Sequence, residues 1–435
     1  MASVDAFMNR FIDSAKRDWR IDGAAFTLIL GAGASRSAGV PLAGEMVDVL
    51  TRIAKLGGVK IPPKPALESS LSWTFRHVTE HMPWDNEFFD YERDFIMACI
   101  SRARREPNLT HLVAAHLCEA HIIGDIVTTN FDDLAPAAFW SLPFATAYIE
   151  PYVVYDPRTE IELKVAPGVP VIVKAHGHHN RYGLDIIDRA IKTTAPSVKR
   201  IIASRPEPEI GYIVVGYSGG WPDGVMAALR DRKKTRGKTI YWFFVGPQPN
   251  GPLIEQVRKN SDVRFIHIAD ADALFLRMWH ELHTDEEYTK PPLLEEYHLF
   301  NLIRDVPLRR PALQEDVEKW WDVWQLPETN RELRNHQRLV ELRRDLLPLL
   351  KALDKWDDDC LLWDCAPQSL RQRIRDHGGA ESWIEPPELR ALTERVPIDI
   401  RWTRRNRKLL RLALTNHVDP VMPFILLGAL CQTQG

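Results

Sequence analysis

Closely paired cysteines are missing from this chain. The five it has, Cys99, Cys118, Cys360, Cys365 and Cys431, form no Cys-x-x-Cys. That spacing argues against a structural zinc site, so no metal is expected. It fits a reduced, cytoplasmic setting in which each thiol packs as a small hydrophobe. Long apolar runs are also missing. Nothing approaches the ~20 residues of a membrane span, and the longest late apolar stretch, residues 421–431, is too short. Residues 1–19 read as an amphipathic helix rather than a signal peptide, because Asp5, Asp13 and Lys16 interrupt any apolar core. Neither charge sign dominates: 56 Lys and Arg stand against 59 Asp and Glu, a net charge of -3. No global pull toward nucleic acid or an anionic membrane follows, and direct nucleic-acid binding is not expected. Internal repeats and low-complexity tracts are absent as well.

What is present is a soluble globular composition, 26% charged and 45% apolar over 435 residues, enough for two or three domains. The chain is organised around residues 24–42, AAFTLILGAGASRSAGVPL. A short apolar run breaks into Gly31-Ala32-Gly33-Ala34-Ser35. Such a run fits a strand buried on both faces of a parallel sheet. Small residues after it let the backbone approach a ligand, and a helix starting there would aim N–H groups at a phosphate. The plain alternative is a tight strand-to-helix turn with no ligand. The dehydrogenase fingerprint fails: its third glycine would fall at Arg36, the next glycine is Gly39, and Asp48 lies inside a predicted helix over 45–55 rather than at the end of a second strand. Nucleotide binding here, if it occurs, is not of the hydride-transfer kind.

Strands are predicted at 125–129, 147–155 (blemished by Pro151), 170–175, 211–215, 239–245 and 263–268. Helices are predicted between them at 109–121, 134–140, 185–204, 222–232 and 251–259. The aromatic-rich stretch 66–120 reads as helical, part of an insertion spanning about 45–122 that serves as a lid. This alternation predicts an α/β fold with a Rossmann-like open, mostly parallel sheet and helices on both faces, followed by a mainly helical C-terminal region. The domains expected are 1–284 and 285–435, with Lys290-Pro291-Pro292 as linker. In the second, Leu339, Leu342, Leu346, Leu350 and Leu353 form a helical stripe, Trp320, Trp321 and Trp324 fit a helix–helix core, and 401–411 is a basic amphipathic segment.

Polar clusters follow several of the strands. Asn130, Asp132, His176, Ser218 and Asp272 would converge beyond strand C-termini, above Gly31–Ser35. Asn130 offers a donor and an acceptor at once. Asp132 can accept from a carboxamide. His176 can act as a general base, although taken alone a structural role fits it equally. Ser218 and the N–H groups of 216–220 can hold phosphate. No cysteine or serine sits in a nucleophile–base arrangement. The parts suit cleavage of an N-glycosidic bond, in which an oxocarbenium-like ribose develops and water adds.

These motifs resemble the sirtuin family. GAGAS at 31–35 with GVP at 39–41 resembles its cofactor loop. TTNFD at 128–132 resembles the segment flanking the nicotinamide ribose, and KAHG at 174–177 resembles the one with the catalytic histidine. GYS at 216–218 resembles the phosphate-binding turn, and ADADALF at 269–275 the segment near adenine. Where sirtuin deacylases continue with Asp-Phe-Arg, this chain has Leu42-Ala43-Gly44, and the zinc-module cysteines are absent. The combination is similar to divergent bacterial sirtuin-like domains, including Thoeris-type antiphage effectors. The resemblance implies an NAD hydrolase that depletes cellular NAD on infection. Asn130 and His176 would be catalytic, and Gly31, Ala32, Gly33, Ser35, Thr129, Asp132, Gly216, Ser218 and Asp272 would bind NAD, here a substrate. It further implies a homo-oligomer, with a partner protein (ATPase or Argonaute-like) as sensor or activator. The alternatives are an NAD-dependent deacylase and a catalytically silent NAD or ADP-ribose sensor.

Overall fold

The computed structural model describes residues 3–17, 23–56, 58–65, 70–81, 95–96, 99, 107–141, 150–158, 165–166, 168–177, 188–231, 235 and 237–284. The chain separates into two compact units, Met1–Glu295 and Glu296–Gly435, and every described residue belongs to the first. The expectations for 285–435, most of those for 82–106, and three of the five cysteines lie outside the described residues. Cys99 and Cys118 are buried and in no disulfide, and burial pushes the Cys118 thiol well above its usual range.

Seven parallel strands make one sheet in the order β3-β4-β2-β1-β5-β6-β7. They are β1 (Phe26–Leu30), β2 (Ile123–Thr128), β3 (Tyr152–Val154), β4 (Val171–Lys174), β5 (Gly211–Val215), β6 (Thr239–Phe244) and β7 (Asp262–His267). The central strands β1, β5 and β6 are buried at every residue, as continuous apolar runs demand when both faces are covered. Period-2 alternation then assigns the faces. Phe26, Tyr241 and Phe243 meet Phe7 of α1 (Val4–Ala15), whose Phe11 stacks on Phe26. Ile29, Val214, Ile240 and Trp242 belong to the opposite core. There they are covered by α7 (Asp188–Ser204), α8 (Gly224–Leu229) and α9 (Pro252–Asn260).

The remaining helices among the described residues are α2 (Ala32–Ser35), α3 (Ala43–Leu56), α4 (Ser70–His81), α5 (Leu109–Glu119), α6 (Leu134–Ser141) and α10 (Ala271–Thr284). The α3 helix starts two residues before its apolar periodicity does, because Glu45 reaches back to accept the Leu42 N–H at 2.6 Å. The strand expected over 147–155 is described only at 152–154. Pro151 brings no donor, and the ladder opens with Tyr152 N–H to Pro170 O. ADADALF, expected as a strand-end polar cluster, follows β7 and runs into the first turns of α10: Asp270 accepts the Ala273 N–H and starts the helix. Among the described residues no helix is long and apolar enough to cross a membrane.

The chain leaves β1 toward β2, β4 and β3, then returns to add β5, β6 and β7 on the other side. Connections therefore diverge above the C-terminal ends of β1 and β5, where open parallel sheets form a crevice. A bidentate ion pair, Arg205 with Asp125 at 2.9 and 3.0 Å, braces the opposite end of β2.

Candidate active site

The segments after β1 and β5 touch backbone to backbone. Gly31 N–H donates to Val215 O and Gly33 N–H to Gly216 O, each at 3.0 Å. A Cβ on Gly31 would lie 2.3 Å from Gly216 O. One on Gly216, whose φ is +67°, would lie 2.3 Å from Ala34 N. Two of the loop N–H groups expected to cradle phosphate are therefore spent joining the sheet halves. The helix they precede, α2, is four residues long and passes into a 3-10 turn, Arg36–Ala38, that Gly39 closes with φ +90°. Ala32 is half-buried.

Asn130 follows β2 at the same end. Its backbone N–H donates to Thr128 Oγ1 at 3.1 Å, while Thr129 N–H continues the ladder to Leu30 O. Its Nδ2 donates to Gly31 O at 3.1 Å and to Ser35 Oγ at 2.7 Å. The Asn130 Oδ1 atom is buried with no partner. Asp132 repeats the pattern: Oδ1 accepts the Leu134 N–H at 3.1 Å, starting α6, and Oδ2 is buried without a partner. Leu134 in turn packs on Ala38 and Val40, tying this turn to the one after β1. Orphaned buried acceptors are uncommon, because each forfeits its hydration; two lie here within three residues.

Beneath this turn lies Lys174, fully buried at the end of β4. Its Nζ donates to the Asp132 carbonyl and pairs with Asp133 Oδ1 at 3.7 Å. Burial lowers its pKa, and Asp132 and Asp133 pull it back up. Ser35 is fully buried too and lies 3.5 Å from His111 Nε2. His111 Nδ1 bonds Asn108 Oδ1, and Asn108 Nδ2 donates to Ala34 O and Ser37 Oγ, each at 2.6 Å. Burial lowers the His111 pKa, against the pull of Asp132 and Asp272. A neutral His111 with its proton on Nδ1 gives the whole chain one polarity. Ser35 O–H then donates to His111 Nε2, its lone pair accepts from Asn130 Nδ2, and the Asn130 carbonyl oxygen is left facing away.

His176 follows β4. Its side chain is 16% exposed, and Nε2 lies 3.2 Å from Oδ2 of the buried Asp223. The Phe131 ring stands 6.4 Å away, tilted by 44°. Ser218 is exposed after β5. Asp272 instead has its Oδ1 engaged, accepting Thr110 N–H at 3.0 Å and Thr110 Oγ1–H at 2.7 Å, which ties α10 to the first turn of α5.

The structure thus joins Gly31, Gly33, Ser35, Asn130 and Gly216 directly, with Asp132 one turn from Asn130 and His176 beside Asp223. Sequence reasoning missed Asn108, His111, Lys174 and Asp223. Asn108 and Asp223 each carried a readable signal as an N-cap, since both accept a first-turn N–H. His111 was visible as a polar residue on an apolar helix. A fully buried Lys174 had no local signal at all. Among the described residues no group of three or more His, Cys, Asp or Glu could hold a metal ion.

No family model matches the chain, and no curated protein matches it. Solved structures similar to it include one titled "Structure of Sir2Tm bound to a propionylated peptide" and another titled "Sir2 bound to acetylated peptide". Each is 15% identical with a TM-score of 0.30, covering 64% of this chain and 99% of that chain. A third, "The Structural basis for Sirtuin Substrate affinity", is 14% identical with a TM-score of 0.29 over 64% of this chain and 99% of its own. What the chain itself displays is a Rossmann-like α/β fold whose two sheet halves meet at Gly31 and Gly216.

Proposed function

We propose that the chain is an NAD hydrolase that cleaves the nicotinamide N-glycosidic bond, releasing nicotinamide and ADP-ribose. The observation that carries this reading is the pair of buried, unpartnered acceptors, Asn130 Oδ1 and Asp132 Oδ2, at the end of β2. They call for a ligand rich in donors. The ribose hydroxyls and the carboxamide N–H groups of NAD are such donors.

The chemistry follows from their charge. When the glycosidic bond breaks, its electron pair goes to the nicotinamide nitrogen and positive charge develops on the ribose. An amide oxygen and a carboxylate fixed beforehand stabilise that charge without reorganising. Water then adds to the ribose carbon and its proton passes to His176, which supplies general-base assistance. The phosphates fall to Ser218 and the backbone of residues 216–220, with Ala32, Gly33, Ser35 and Thr129 lining the ribose side and Asp272 toward the base. A toxic activity of this kind needs restraint, so basal turnover is low. Assembly or a partner, acting through residues 285–435, releases it as an antiphage response.

The test is NAD consumption by the purified chain, alone and in lysate from phage-infected cells, with Asn130→Ala and His176→Ala alongside. Turnover lost in both variants supports the reading. NAD that binds in calorimetry yet stays intact under every condition overturns it in favour of a sensor.

A further inference from the structure

The His176 imidazole does not stand alone. Asp223 is 1% exposed, and its two oxygens gather three groups. Oδ1 accepts the Met226 N–H at 2.8 Å, opening α8. The Tyr217 hydroxyl lies 2.8 Å from both oxygens. His176 Nε2 meets Oδ2 at 3.2 Å.

This contact is not local. His176 follows β4, whereas Asp223 and Tyr217 follow β5, and β2 and β1 lie between those strands. Three strand spacings separate them, roughly 14 Å. Residues 216–223 therefore reach across the ends of β1 and β2 to meet the imidazole. Tyr217 is pinned on the way: its ring stacks on the buried Trp242 at 5.9 Å and 19°, and Trp242 Nε1–H donates to Tyr217 O at 3.0 Å.

We propose that Asp223 is the positioning residue of His176, holding the proton on Nε2 so that Nδ1 is the ring nitrogen that accepts a proton from the attacking water. This rests on the hydrolase reading for the water, but the assignment of the ring nitrogens does not. A carboxylate only accepts, so the nitrogen beside it carries the hydrogen, and in a neutral imidazole the other nitrogen keeps its lone pair. Tyr217 tunes the pair. Burial first and Asp223 second hold its phenol well above the usual range, against the weaker effect of Arg230, so it remains a donor at working pH. Among the described residues the groups facing His176 are Asp223, with Tyr217 behind it, and the uncharged Phe131 ring.

The experiment uses the full chain with labelled histidines, the His176 signal assigned through His176→Gln, and two variants compared with the unsubstituted chain by NMR at alkaline pH. Asp223→Asn keeps the cap on α8 but turns an amide N–H₂ toward the imidazole. It is expected to move the proton of the neutral ring from Nε2 to Nδ1, read from the imidazole nitrogen shifts. Tyr217→Phe leaves the carboxylate in place and should keep the proton on Nε2. NAD consumption should fall in Asp223→Asn and persist in Tyr217→Phe. A structural role alone does not exchange the two ring nitrogens. An unchanged tautomer in Asp223→Asn overturns the proposal. If that variant does not fold, a proton found on Nδ1 in the unsubstituted chain or in Tyr217→Phe overturns it. The expected NMR behaviour without NAD consumption upholds the positioning and overturns the hydrolase reading, so the two failures are separable.

Discussion

Replacing Asn130 by alanine should leave the ligand-free protein about as stable as it is now. The side chain makes two buried hydrogen bonds through Nδ2, together worth about 1–3 kcal/mol. Neither acceptor is orphaned by their loss. Gly31 O keeps the Ala34 N–H at 2.9 Å, and the Ser35 hydroxyl keeps a partner by donating to His111 Nε2. The same side chain buries an unpartnered Oδ1, a penalty of about 1–3 kcal/mol that alanine removes. The terms oppose each other, and the net change is within about 2 kcal/mol of zero. Asn130→Asp is the contrasting perturbation. It matches the shape but loses both donors and faces Gly31 O with a carboxylate, at about 3 kcal/mol or more. A chain with two compact units does not unfold in one step, so the assay is hydrogen exchange of peptides from β1 and β2, which reports opening of that region alone. Equal effects of the two substitutions, or a loss beyond about 2 kcal/mol in the alanine variant, would refute the claim that Oδ1 is an unsatisfied acceptor held for a ligand.

Gly216→Ala should be costly for two reasons at once, a backbone clash with Ala34 N and a φ of +67°; it is expected to weaken NAD binding in calorimetry and expose β1 and β5 to exchange. The pH dependence of stability should bear the mark of His111 and His116, whose pKa values burial lowers. The unfolded chain takes up their protons near pH 6.5 while the folded chain resists, so stability present above that pH declines as pH falls below it. His111→Gln should flatten the decline, read as α5 exchange at pH 7.5 against 5.5. Arg205→Met strands the buried Asp125 carboxylate and should cost about 3–5 kcal/mol in the same exchange assay, yet leave the His176 proton on Nε2.

The strands were legible because burial on both faces writes itself into the chain as unbroken apolar runs: 26–30, 211–215 and 239–244 need no context to be read. So were the polar residues beyond them, since a parallel sheet sets the chemistry of its C-terminal edge in the loops. What could not be read was the partner of each polar group. Gly31 and Gly33 looked like room for a phosphate, and the structure fills part of that room with Gly216. Asp272 looked like a ligand contact, and one of its two oxygens also caps the start of α5. Asp223 looked like the beginning of a helix, which it is, but a carboxylate has two oxygens and only one of them caps. Such pairings join residues from 47 positions apart, His176 with Asp223, to 185, Gly31 with Gly216, beyond the reach of any local period.

The order of the strands also bears on how the chain is made. β1 is the centre of the sheet, yet its neighbour β5 ends at Val215. On a ribosome adding about 5–20 residues per second, roughly ten to forty seconds separate the emergence of the two strands. Both edges of β1 are unpaired until β2 emerges, and from then until β5 arrives one edge of this apolar strand stays open to any other chain. The step that finally covers it is the arrival of the same Gly216 turn that completes the crevice. Newly made protein therefore covers the open edge of β1 and completes the crevice in a single event, and a holdase present during synthesis should raise the soluble yield more than one added afterward.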